Sequence, residues 1–142
     1  ANSHVSKEQQ TLSAELFSGI GIVEWLADEA QMHSVTALSG SGPAYIFLMI
    51  EAMEAAAIKQ GISTETARKL AAQTVLGAAQ MVLNSEISPA QLKKNVMSPG
   101  GTTERAIQVF EQNNFMGIVD QAMQAAADRS EELAAILSAD KS

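Results

Sequence analysis

From Ala67 to Leu83 the chain carries a helical stretch that is apolar on nearly every side. Ala67, Leu70, Ala71, Thr74, Val75, Ala78, Met81 and Val82 recur at the i, i+3, i+4, i+7 spacing of one helix face. Ala72, Leu76, Ala79 and Leu83 form a second stripe on the other side. A helix of this kind must be buried nearly all round. A single domain of this size removes only about two-thirds of its unfolded surface from water. The surplus predicts a large interface with another subunit.

The remaining composition narrows the fold class. Apolar residues make up 46% and charged residues 18%, which is a globular and not a disordered balance. Aromatic residues are only 4%, and abundant Ala and Met let helices approach closely, so an all-α pack is expected. A net charge of -7 argues against a nucleic-acid partner, which requires a positive face. The absence of cysteine excludes disulfides, thiolate catalysis and Cys-ligated metal, and suits a reducing, cytoplasmic setting. His4 and His33 are the only histidines, and neither has a carboxylate at metal-ligand spacing, so no metal site is expected and both are read as structural. The longest uncharged stretches are Ala30 to Ile50, broken by polar residues, glycines and Pro43, and Leu70 to Asn84, too short for a bilayer. No membrane span is expected. The polar start, without Met or an apolar segment, reads as the beginning of a fragment with no secretory signal.

Helical periodicity begins at Lys7 and stops at Gly19 and Gly21. The apolar run Ile20 to Leu26 has the length of a buried strand. A lone strand cannot satisfy its backbone in a helical domain, so residues 1–27 read as the tail of a preceding sheet-containing domain. Asp28 is placed to cap a helix to about Ser39, which Ser39-Gly40-Ser41-Gly42-Pro43 interrupts. Further helices are predicted from Pro43 to Gln60, from the Ser63-Thr64 cap to Leu83, and from Ser88-Pro89 to about Val96. Two more follow, at about 102–112 and 116–137.

Two small-residue stretches precede helix starts, Ser39 to Tyr45 and Ser98 to Thr103. Unpaired N–H groups at such a start, with the positive end of the helix dipole, suit a carboxylate. Gly100-Gly101 lets backbone approach a ligand, and Thr102 and Thr103 add hydroxyls. Capping and close helix crossing account for the same spacing without a ligand, and from spacing alone they are the better account. Neither stretch matches a phosphate-cradling fingerprint. Lys93 and Lys94 form a small basic spot that would steer an anion or simply meet solvent.

Taken together, Val35 to Tyr45 and Asn95 to Thr103, with Leu76-Gly77-Ala78-Ala79 and Gln91-Leu92-Lys93 in order between them, closely resemble the C-terminal domain of pyrroline-5-carboxylate reductase. The resemblance covers essentially the whole chain. It implies an interlocking helical dimerisation domain at 28–142, preceded at 1–27 by the last helix and strand of an α/β dinucleotide-binding domain. It implies NADH- or NADPH-dependent reduction of 1-pyrroline-5-carboxylate to L-proline by a homodimer, with rings of five dimers formed by family members. By the same resemblance, Ser98 and the backbone of Gly100, Gly101 and Thr102 hold the substrate carboxylate, and Thr103 orients the ring nitrogen as the catalytic residue. Thr36 and Asn95 match positions near the nicotinamide, and Glu86 matches a position in the partner subunit's pocket. Thr102 stands where the family commonly has Ala, a conservative departure. Without a dinucleotide-binding domain the chain is expected to be inactive.

Two other readings remain. One is a non-catalytic helical assembly module. The other is a different imine or β-hydroxyacid reductase of the same plan; such enzymes usually carry a catalytic Lys on the long helix, and here Pro43 to Ile58 has none.

Overall fold

Serine side chains start three helices. In α1 (Lys7–Ser18) Ser6 Oγ accepts from the Gln9 N–H and Gln9 Oε1 accepts from the Ser6 N–H, a reciprocal cap. In α4 (Thr64–Leu83) Ser63 accepts from the Thr66 N–H. In α5 (Pro89–Asn95) Ser88 accepts from the Gln91 N–H, and Pro89 takes the first helical position. The computed structural model describes residues 1, 2 and 4–139 of the chain. Its other elements are α2 (Gln31–Val35), a π-turn (Thr36–Gly40), α3 (Gly42–Lys59), α6 (Thr102–Gln112) and α7 (Phe115–Ala139).

The expected break at Ser39–Pro43 is not a loop. The Ser41 N–H donates to the Thr36 carbonyl five residues back at 2.8 Å, and the backbone runs on as one rod from Gln31 to Lys59. The wider turn absorbs Pro43, which has no N–H and whose ring crowds the carbonyl four residues before it. By length and composition this rod is apolar enough to cross a bilayer, a property hidden in the sequence while the rod is read as two helices. It ends at Gly61 (φ 93), where the Ile62 N–H returns to the Ala57 carbonyl at 3.1 Å. Only glycine enters that left-handed turn without strain.

The strand expected at Ile20 to Leu26 has no partner. Among the described residues there is no strand at all, and Ile20 and Ile22 are almost fully exposed. A strand is defined by pairing, and none of the described residues offers an edge. Asp28 opens a turn, accepting from the Ala30 N–H at 3.0 Å, and the helix proper begins three residues later.

Packing is pairwise. α4 lies along α3, and Ala67 and Ala71 are buried at that crossing. Arg68 of α4 makes a two-pronged ion pair with Glu54 of α3, at 3.1 and 3.0 Å. The hydrogen bonds and charge of Glu54 hold the Arg68 guanidinium above its usual range. The distal half of α7 crosses back over α2 and the π-turn, burying Ala37, and half-buried His33 bonds Ser130 through Nδ1 at 3.0 Å. Enlarging Ala71 to Leu forces α4 off α3. We expect about 1–3 kcal/mol of destabilisation, read as a lowered denaturant midpoint with unchanged slope.

Between α3 and the first half of α7 the chain is open. An apolar groove of about 860 Å³ runs there, lined among others by Tyr45, Met49, Met53, Phe115, Ile118 and Met123. The Tyr45 hydroxyl lies buried beside it without a hydrogen-bond partner. The single chain exposes 11414 Å², against roughly 7,000 Å² for a compact monomer of this length. Among the described residues the buried apolar ones are three alanines. The surplus surface inferred from α4 is therefore present along the whole molecule.

Candidate functional site

The α5–α6 loop is built by its neighbours in sequence. α5 ends as the Met97 N–H reaches the Lys94 carbonyl at 3.1 Å. Gly100 then takes a φ of 73, a conformation side-chain-bearing residues adopt only with strain. Gly101 caps α6 through its backbone, and a Cβ there would sit 2.9 Å from the Ser98 carbonyl oxygen, so no side chain fits.

The backbone donors of this loop divide into two groups. The Gly101 N–H is taken by the Ser98 carbonyl at 2.9 Å. The Gly100 N–H is taken by Glu104 Oε2 at 2.7 Å. Among the described residues the N–H groups of Thr102 and Thr103 have no acceptor, and neither do the hydroxyls of Ser98, Thr102 and Thr103. The free donors thus lie just beyond the glycines, on Thr102 and Thr103. They sit in the first turn of α6, where the helix dipole favours an anion. Thr103 is half-buried, whereas Ser98 and Thr102 face solvent.

Glu104 is the residue that sequence reasoning passed over. Its signal was present: an acid three residues after a helix cap reaches back to the loop N–H groups.

The remaining candidates are distributed. Asn95, at the end of α5, accepts from Gln91 Nε2 through its Oδ1 at 2.8 Å, which leaves its Nδ2 as a donor. Lys93 is tied to Glu111 of α6 at 3.2 Å, joining α5 to α6. Glu86 is exposed on the α4–α5 connection. Thr36 is on the π-turn, which packs against α7, α2 and α3. One copy of the chain therefore gathers Ser98, Gly100, Gly101, Thr102 and Thr103 in one loop and helix start just after Asn95. In the Ser39–Tyr45 stretch the Ser41 and Ala44 N–H groups are taken by the Thr36 and Ser41 carbonyls. Among the described residues no group of three or more acids and histidines is placed to hold a metal.

Comparison with known proteins meets this geometry directly. The family model described as pyrroline-5-carboxylate reductase dimerisation matches residues 29–133. The chain is similar to the pyrroline-5-carboxylate reductase of Pseudomonas aeruginosa, at 54% identity over 134 residues, covering 94% of this chain and 49% of that protein. It is also similar to the Pisum sativum enzyme, at 45% identity over 128 residues, covering 90% and 46%. Among solved structures, the Coxiella burnetii pyrroline-5-carboxylate reductase superposes with a TM-score of 0.91 at 48% identity, covering 94% of this chain and 49% of that one. The Plasmodium falciparum pyrroline carboxylate reductase, solved with NADP bound, superposes at 0.83 with 36% identity, covering 92% and 50%. The chain spans about half the length of the curated relatives it matches. An all-helical pack with a glycine-opened donor loop, matched across residues 29–133, places the chain in the pyrroline-5-carboxylate reductase dimerisation family.

Proposed function

We propose that this chain is the helical half of an NAD(P)H-dependent reductase that converts 1-pyrroline-5-carboxylate to L-proline. Residues 28–142 would be its dimerisation and substrate-binding domain, and residues 1–27 the end of a dinucleotide-binding domain. The observation that carries the reading is the row of unpartnered donors from Thr102 to Thr103, on a loop inside the matched region. A small ligand bearing one carboxylate satisfies those N–H groups, with the Ser98 hydroxyl as a third contact. The Thr103 hydroxyl, without a partner among the described residues, is then free to orient the ring nitrogen. A threonine is a poor acid, so water supplies the proton to that nitrogen.

A nicotinamide cofactor supplies the hydride for the imine carbon. The residues present fit such a group: the free Asn95 Nδ2 suits a carboxamide oxygen, and the Thr36 hydroxyl has no partner among the described residues. Thr36 sits on the π-turn that packs against α7, α2 and α3. In the proposed dimer a second copy completes the site. The open groove and the excess exposed surface support a homodimer whose helices interlock, with Glu86 reaching the partner's pocket. Such a dimer would also cover the apolar rod from Gln31 to Lys59.

A purely structural assembly module would explain the exposed apolar surface equally well, so the test must read chemistry. In the full-length protein containing this sequence and a dinucleotide-binding domain, 1-pyrroline-5-carboxylate should drive oxidation of NADPH or NADH with proline as product. An intact oligomer that oxidises neither cofactor with this substrate would leave only the assembly module.

A further inference from the structure

Glu104 takes the Gly100 N–H at 2.7 Å. Gly100 is left-handed, and nothing lies within 4 Å of where its Cβ would be. Gly100 is therefore open on the side where a side chain would stand. The bond to Glu104 ties it to the first turn of α6, while the Gly101 N–H is tied to Ser98. An acid at this point of a helix also interacts favourably with the dipole. Glu104 does not occupy the Thr102 or Thr103 N–H groups, so it leaves the ligand donors free.

We propose that Glu104 is a positioning residue: its carboxylate clamps the Gly100 N–H and so presents the Thr102 and Thr103 donors to the substrate carboxylate. The inference rests on the reading of this loop as the carboxylate site. It makes the required property of residue 104 its hydrogen-bond acceptor, since the clamp is an accepted bond. The loop binds the carboxylate in substrate and transition state alike, so loss of the clamp should appear in KM and not in kcat.

The test uses the full-length reductase with Glu104→Ala and Glu104→Gln. Loss of the charged acceptor in E104A should raise KM for the cyclic imino acid about tenfold. Its kcat should stay within about twofold, with KM for the nicotinamide cofactor unchanged. E104Q keeps an acceptor oxygen and should return KM to within about threefold of the parent. Amide exchange reads the clamp without activity: the Gly100 N–H should exchange faster in E104A and near the parental rate in E104Q. An E104A enzyme with parental KM and parental Gly100 exchange overturns the proposal. So does a fall in KM in both variants, which would make Glu104 a competing anion, or an equal rise in both, which would make charge the operative property. A parent protein that reduces no imine overturns the reading of the site itself, and the parent measurement alone distinguishes that failure.

Discussion

Ile118→Asp should abolish assembly although it changes nothing inside one copy. Ile118 lines the groove between α3 and α7 and is more than half exposed in the single chain. On that surface alone, an aspartate would cost no more than about 0.5 kcal/mol. If a second copy fills the groove, the same side chain is a charge buried in an apolar seam, which costs several kcal/mol per copy. The dimer dissociation constant should rise by at least about a thousandfold. The excess surface, on the order of 4,000 Å² per chain by comparison with a compact monomer, is that of an obligate interface. A lone copy is left with a core of small alanines. We therefore expect sedimentation to show loss of the dimer, and circular dichroism to show a shallow melt in place of a cooperative one. Parental mass and an unchanged, cooperative melt in I118D would mean that the groove is an open surface.

Thr103→Val should remove most of the activity and little of the stability. The Thr103 hydroxyl has no hydrogen-bond partner among the described residues, and the cap of α6 is the backbone of Gly101, so neither helix end nor core depends on it. A positioned hydroxyl that orients the reacting nitrogen contributes through hydrogen bonding in the transition state. Its loss should lower kcat/KM of the full-length enzyme by about a hundredfold, chiefly in kcat. Thr103→Ser retains the hydroxyl and should stay within about tenfold. The melting temperature of both variants should lie close to the parent's. A T103V enzyme with full activity, or one that loses activity only in proportion to a lost fold, would leave Thr103 as a residue of the helix start alone.

The parts legible in the sequence are those set by contacts a few residues apart. Ser63 and Ser88-Pro89 start α4 and α5 where the residues say, because a cap is a bond to the third residue on. Gly61 ends α3 for an equally local reason. Pro43 was misleading for the opposite reason: its effect depends on whether the preceding turn widens, and Thr36–Gly40 does. Ile20 to Leu26 has strand composition but no edge to join among the described residues. In the loop, glycines marked the place, while the donors free to bind belong to Thr102 and Thr103, because Glu104 and Ser98 claim the glycine N–H groups.

By itself, the sequence determined an all-helical chain with more apolar surface than one copy can bury, and a polar loop entering a helix. Periodicity and capping are local, and hydrophobic excess is a sum over residues, so both survive without coordinates. Only the tertiary structure decided which N–H groups remain unpaired, and that α3 and α7 leave an apolar groove between them. Those outcomes depend on how separate helices cross and on which acceptor wins each donor, and the chain settles both only when it packs.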